Sequence, residues 1–141
     1  MLLSLKHHFD SAHLLDNYNG ACNNLHGHRW EIQVDLESSH LINDMIIDFK
    51  DLKALINRFD HKTLLHDCEE NKLIIVALQE SKKEIIVVPF KPTAENLVKH
   101  FHDCVMEYYK EELAQNGKDP MFKLYITLWE SPNASVSYGS K

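Results

Sequence analysis

Along residues 2 to 13, apolar side chains fall on one parity: Leu3, Leu5 and Phe9 alternate with polar neighbours, and His13 closes the same row. A period of two marks a half-buried strand, so the stretch predicts a first strand whose last inward side chain is an imidazole. The alternation returns at His26, where His28, Trp30, Ile32, Val34 and Leu36 share one face while Arg29, Glu31, Gln33, Asp35 and Glu37 fill the other. His26 and His28 are two residues apart, so an extended backbone points both inward. Residues 14 to 25, with Asp16-Asn17-Tyr18-Asn19-Gly20 and then Cys22, form a turn-rich loop between these two strands.

The period then changes. Met45 to Phe49 is short and apolar, and Asp48 can cap a helix with the stripe Leu52, Leu55, Ile56 and Phe59, ending near Asp60-His61. Residues 67 to 90 read as an insertion: a short helix around Leu73 to Leu78, then a β-branched strand, Ile85 to Val88. Pro92-Thr93-Ala94-Glu95 opens a second long helix capped by Thr93, with the stripe Leu97, Phe101, Cys104, Val105 and Tyr108 and with Gly117 past its end. From Met121 the strand period resumes through Phe122, Leu124, Ile126 and Leu128, and the next residue of that parity is Glu130. A carboxylate at the end of an apolar row costs several kcal/mol unless donors reach it, so Glu130 calls for partners from the protein or from a ligand. Ser131-Pro132-Asn133 turns into a last short strand, Ala134 to Tyr138.

With 141 residues and 44% hydrophobic content, the chain is expected to form one domain over residues 1–141. A net charge of −6 argues against the broad basic face of a nucleic-acid binder. Cys22, Cys68 and Cys104 are odd in number and widely spaced, and no charged-then-apolar leader precedes the first strand; a soluble, cytoplasmic protein is expected rather than a secreted disulfide scaffold. No apolar run approaches the roughly 18 residues of a membrane span.

The candidate chemistry lies where the two N-terminal strands meet. Three neutral imidazoles, His13, His26 and His28, can hold a divalent ion such as Zn2+ and leave one coordination position open for substrate or water. Such an ion polarises a hydroxyl or carbonyl oxygen, which eases removal of a proton from the adjacent carbon. Cys22 is the candidate base, because a thiol beside a cation is readily converted to its thiolate. Asp60-His61 can relay the proton. Each residue alone has a plainer reading: His13 as a core histidine, Cys22 as a loop thiol, Asp60-His61 as a surface pair, Thr93 and Glu95 as helix-start residues. Three histidines crowded into one core without an ion would be costly, so the grouping favours metal.

The run Phe9-Asp10-Ser11-Ala12-His13, Cys22-Asn23-Asn24-Leu25-His26-Gly27-His28, Ile47-Asp48-Phe49, Asp51-Leu52-Lys53, Phe59-Asp60-His61, Pro92-Thr93-Ala94-Glu95-Asn96 and Glu130 resembles the 6-pyruvoyl-tetrahydropterin synthase superfamily. The three residues between Cys22 and His26 make it most similar to the 6-carboxy-5,6,7,8-tetrahydropterin synthases of queuosine biosynthesis. The resemblance implies an α+β tunnelling fold: a four-stranded antiparallel sheet with two helices on one face, closing with other subunits into a β-barrel as a trimer or hexamer with active sites between subunits. It implies zinc on His13, His26 and His28, a catalytic triad of Cys22, Asp60 and His61, and a pterin anchored by Glu130, with Thr93 and Glu95 at pocket positions. The implied substrate is 7,8-dihydroneopterin triphosphate. Other readings remain open: the pyruvoyl-forming synthase, a side-chain-cleaving enzyme of folate synthesis, and a non-catalytic pterin- or metal-binding protein.

Overall fold

A computed structural model of the chain describes residues 1–140; Lys141, the last residue of the expected domain, lies outside the described residues. Six strands, β1 (Leu2–His13), β2 (His26–Ser38), β3 (Lys62–His66), β4 (Ile85–Val88), β5 (Phe122–Ser131) and β6 (Ala134–Gly139), form one sheet in the order β4-β3-β1-β2-β5-β6. Three α-helices accompany it: α1 (Phe49–Asn57), α2 (Lys72–Glu80) and α3 (Ala94–Gln115).

The expected four-stranded antiparallel sheet with two helices is therefore corrected to a six-stranded mixed sheet with three. Strands β1, β2, β5 and β6 pair antiparallel, but β3 and β4 extend the sheet beyond β1 in parallel. Strand β3 shows no alternation, because Leu64 and Leu65 are adjacent and both fully buried. Neighbouring residues on a strand point to opposite faces, so β3 is covered on both sides, and the period-two signal that identifies half-buried strands is lost.

The core forms on one face. The row Trp30, Ile32, Val34 and Leu36 of β2 is fully buried, as is Leu124, Ile126 and Leu128 of β5. Each such side chain contributes about 1.5–3 kcal/mol relative to exposure. Against this face pack α1, whose buried residues are Leu52, Leu55 and Ile56, and α3. Asp48 begins α1 as expected, accepting from the Lys50 N–H at 2.8 Å. The buried row of α3 departs from the expected stripe: Cys104 is only partly buried and Tyr108 only packs on the core's margin, while Tyr109 and Leu113 are fully buried. The row Leu97, Phe101, Val105, Tyr109 and Leu113 advances in steps of four, with Val98 and His102 buried beside it. Gly117, at φ +63°, then ends α3 with the N–H of Gly117 on the Ala114 carbonyl and that of Lys118 on Leu113. Helix α2 lies apart from this core and buries none of its residues. Among the described residues no helix is long and apolar enough to cross a membrane.

Candidate metal centre and active site

Register assembles the histidines. In the β1–β2 ladder His13 stands directly opposite His26, and His28 stands opposite Ser11, diagonal to His13. Directly opposed side chains on one sheet face start about 5 Å apart, and diagonal ones remain within reach of a ring. One nitrogen from each of His13, His26 and His28 lies within 4.8 Å of the others. His13 is fully buried, and His26 and His28 are partly so.

Backbone carbonyls orient two of the rings. His13 Nδ1 lies 2.7 Å from the Pro92 carbonyl and His26 Nδ1 lies 2.7 Å from that of Asn24. A carbonyl only accepts, so each Nδ1 carries the proton and each neutral ring presents a bare Nε2. Those two Nε2 atoms face each other at 3.0 Å. Two lone pairs at that separation repel, and His28 Nε2 is buried with no hydrogen-bond partner among the described residues. A cation between the three rings would satisfy all of these atoms together, so the donor set fits a divalent metal with its ligands fixed by carbonyl partners.

The charge state agrees. Burial, reinforced by the nearby His26 and His28, pushes His13 from an ordinary 6.5 down to about 4, although the Pro92 carbonyl opposes the shift. His28 is lowered too, chiefly by burial, with Glu130 acting the other way. Both shifts keep the imidazoles neutral and ready to ligate. A folded-state value below the unfolded one means that neutral His13 adds stability above pH 6.5, and this stability fades as pH falls toward about 4. The metal-free protein is therefore expected to lose up to about 3 kcal/mol of unfolding free energy across that window. Urea unfolding at a series of pH values measures this, and a midpoint flat across the window would refute it.

Glu130 is placed by an irregularity. The β5–β6 register shifts between Trp129 and Ser131, so Glu130 is the extra residue of a bulge, a device that re-aims a side chain at a strand end. Its Oε1 lies 3.6 Å from Nε2 of both His13 and His28, beyond hydrogen-bonding distance. Among the described residues no N–H or O–H donates to this carboxylate, and its side chain is 36% exposed. Glu130 shares an open cleft of about 460 Å3 with Leu15, Thr93, Glu95 and β6. Thr93 also caps α3, accepting from the Asn96 N–H at 3.4 Å, so one helix start supplies cleft residues and the Pro92 carbonyl that orients His13.

Cys22 sits on a single 3-10 turn, Ala21–Asn23. Its carbonyl accepts from the Leu15 N–H at 2.8 Å, two residues past His13, and Asn24 on its other side holds the His26 ring. The backbone of the Cys22 turn is thus tethered next to both His13 and His26. Asp60 and His61 form a separate unit. His61 Nδ1 bonds Asp60 Oδ2 at 2.8 Å, Asp60 Oδ1 accepts from the Asp10 N–H at 2.8 Å, and the His61 N–H donates to the Asp10 carbonyl at 2.7 Å. The Asp10 N–H and the His61 ring hold Asp60 below the usual carboxylate range. His61 adopts a left-handed φ of +57°, a strained state for a non-glycine residue, and its side chain is 78% exposed. It lines a cleft of about 440 Å3 with Asp10, Gly27, His28 and Lys62. Among the described residues Cys22 makes no hydrogen bond to Asp60 or His61. Sequence reasoning missed the Pro92 and Asn24 carbonyls and the Asp10 amide, because backbone groups leave no residue-type signal.

A six-stranded α+β domain with three imidazoles beside a carboxylate-lined cleft and a thiol-bearing loop defines a class: enzymes built around a metal-ready histidine trio. The chain matches the model of the 6-pyruvoyl tetrahydropterin synthase family over residues 2–141 and belongs to that family; it is an enzyme of the lyase class. Among its relatives is the 6-carboxy-5,6,7,8-tetrahydropterin synthase of Haemophilus influenzae, 32% identical with 96% of each chain covered. The synthase of the same name from Aquifex aeolicus is 34% identical over 83% of this chain and 75% of that one. Among solved structures, Plasmodium falciparum 6-pyruvoyl tetrahydropterin synthase shares the fold, with a TM-score of 0.68 at 20% identity over 99% of this chain and 97% of that one.

Proposed function

We propose that the protein converts 7,8-dihydroneopterin triphosphate and one water to 6-carboxy-5,6,7,8-tetrahydropterin, releasing acetaldehyde and triphosphate, as a zinc-dependent cytoplasmic lyase of the queuosine (7-deazaguanine) route. The observation that carries this reading is the convergence of His13, His26 and His28 on one point with the Glu130 carboxylate 3.6 Å away. Relatives named for this product, and the three-residue spacing from Cys22 to His26, support the choice of branch. The three unpaired cysteines suit a reducing compartment.

Bound to the trio, zinc supplies Lewis-acid polarisation of a substrate side-chain oxygen. Cys22 takes the proton from the adjacent carbon, and His61, held by Asp60, moves a proton between side chain and ring. Glu130 accepts from the pterin amino group and ring N–H side by side, the same two-point match that a carboxylate makes with a guanidinium. Thr93 and Glu95 border that cleft. His61 is anchored on Asp10, whose strand parity is opposite to that of His13, and makes no hydrogen bond to Cys22 among the described residues; this supports an assembly in which His61 of one subunit completes the site of another, with the whole chain acting as one domain and 67–90 as an insertion in it. The polar outer face of the sheet, with Lys6 on Glu31 at 2.8 Å and Ser4 on Asp35, suits a water-filled barrel, and edge strands β4 and β6 suit continuation between subunits.

Incubating the protein with 7,8-dihydroneopterin triphosphate, with and without a chelator, and identifying the pterin by mass spectrometry tests the proposal. Formation of the 6-carboxy product with acetaldehyde, only when metal is present, is expected; a 6-pyruvoyl or 6-hydroxymethyl product assigns the other branches, and no turnover refutes this substrate. Glu130→Gln keeps the shape but replaces one acceptor oxygen by a donor. A charged hydrogen bond contributes about 1.5–3 kcal/mol, so KM is expected to rise roughly 10- to 100-fold with zinc content unchanged. An unchanged KM would place the pterin elsewhere.

A further inference from the structure

A second group of metal-ligating side chains lies outside the site described above. Asp16 on the loop after β1, His66 at the end of β3 and Cys68 two residues on bring one oxygen, one nitrogen and one sulfur within 4.8 Å of each other. Asp16 is 94% buried, as its 6% exposure shows, and its carboxylate meets His66 Nδ1 at 3.0 Å. The chain is arranged to hold these donors together. The His66 carbonyl accepts from the Cys68 N–H at 3.0 Å and from Asn71 Nδ2 at 3.1 Å, a tight turn that sets His66 and Cys68 side by side; Asn71 is itself buried. Glu70 on the same turn accepts from the Asn17 N–H at 2.8 Å and from Asn23 Nδ2 at 3.3 Å, fixing the loop on either side of Cys22 and next to Asp16.

We propose that Asp16, His66 and Cys68 form a second metal site, taking a zinc-class divalent ion that pins the Cys22-bearing loop to the end of β3. The donor chemistry selects the ion. A thiolate, an imidazole and a carboxylate suit a borderline-soft cation, and they leave a fourth position for water. Metal–ligand bonds of roughly 2.0–2.3 Å give tetrahedral edges of roughly 3.3–3.8 Å, so donors already within 4.8 Å need only small side-chain rotations to close on an ion. Bound as a thiolate, a carboxylate and a neutral imidazole, the three donors carry two negative charges that the dication balances, and the thiol proton leaves to solvent as the ion binds. His66 and Cys68 are partly exposed, which gives the ion a path in. The role is structural: the ion joins residues fifty positions apart in sequence, holding the loop whose Cys22 and Asn24 flank the catalytic trio.

Metal-stripped full-length protein reloaded with Co2+ tests this without reference to turnover. Wild type is expected to bind one more cobalt per chain than Cys68→Ser, measured by elemental analysis. A near-ultraviolet thiolate-to-cobalt charge-transfer band is expected in wild type and in Cys22→Ser and absent from Cys68→Ser. Equal cobalt content in wild type and Cys68→Ser, or a band that Cys22→Ser removes and Cys68→Ser retains, overturns the site. His66→Gln provides the same comparison should the serine variant fail to fold. Failure of the histidine trio to bind would lower the cobalt content of every variant by one equivalent and leave the difference between wild type and Cys68→Ser, so the two sites are scored separately.

Discussion

Replacing Cys22 with alanine is expected to lower kcat by about 10³-fold, within the range of a lost proton-transfer group, while zinc stays bound. The reasoning is geometric. The three candidate metal donors are imidazole nitrogens of β1 and β2, and the Cys22 sulfur is not among the atoms that converge with them within 4.8 Å. The turn carrying Cys22 is held by backbone contacts, its carbonyl on the Leu15 N–H and the Asn23 N–H on the Gly20 carbonyl, which alanine preserves. The variant should therefore fold and load metal like the parent. Steady-state rates with 7,8-dihydroneopterin triphosphate beside metal analysis of the same samples make the measurement. Loss of zinc together with activity would make Cys22 a ligand, and an unchanged rate would remove it from proton transfer.

How much of this was legible in the sequence depends on which residues carried a periodic signal. The β1–β2 pair could be read almost residue by residue, because a single buried face forces strict alternation and two-residue histidine spacing then means one side. The same rule placed Glu130 at the end of the β5 row, but not the bulge at Trp129–Ser131 that turns it toward His13 and His28. A bulge adds one residue without altering composition. Strand β3 was missed for the opposite reason: Leu64 and Leu65 are both buried, so burial on two faces erased the pattern that would have announced it. In α3 the expected stripe takes Tyr108 where Tyr109 is the buried residue, because two adjacent tyrosines leave residue type unable to say which of them faces the core. Asp60-His61 was legible only as a pair after a helix. Its left-handed His61 and its anchoring by both backbone groups of Asp10 depend on β1 lying alongside, a long-range contact that no local window contains.

The anchoring of that pair on Asp10, with no hydrogen bond to Cys22 among the described residues, leads to the second large effect. If His61 of one subunit completes the site of another, Cys22→Ala and His61→Ala should each be nearly inactive alone, yet mixed chains should regain activity on reassembly. In a closed symmetric ring every interface pairs one chain's Cys22 side with its neighbour's His61 side, and random mixing of equal amounts makes about a quarter of the interfaces intact on both sides. Co-denaturing the two variants, refolding them together and measuring turnover should thus recover about a quarter of the parental rate, against a background roughly 10²- to 10⁴-fold below it. Refolding each variant by itself supplies the control. The exposed His61 ring, 78% accessible and held in place by Asp60 with the left-handed backbone beneath it, is what a residue built to reach across an interface requires: rigid before contact and unburied until contact is made. No recovery on mixing would mean that Cys22 and His61 act within one chain, or that one of the two takes no part in the reaction.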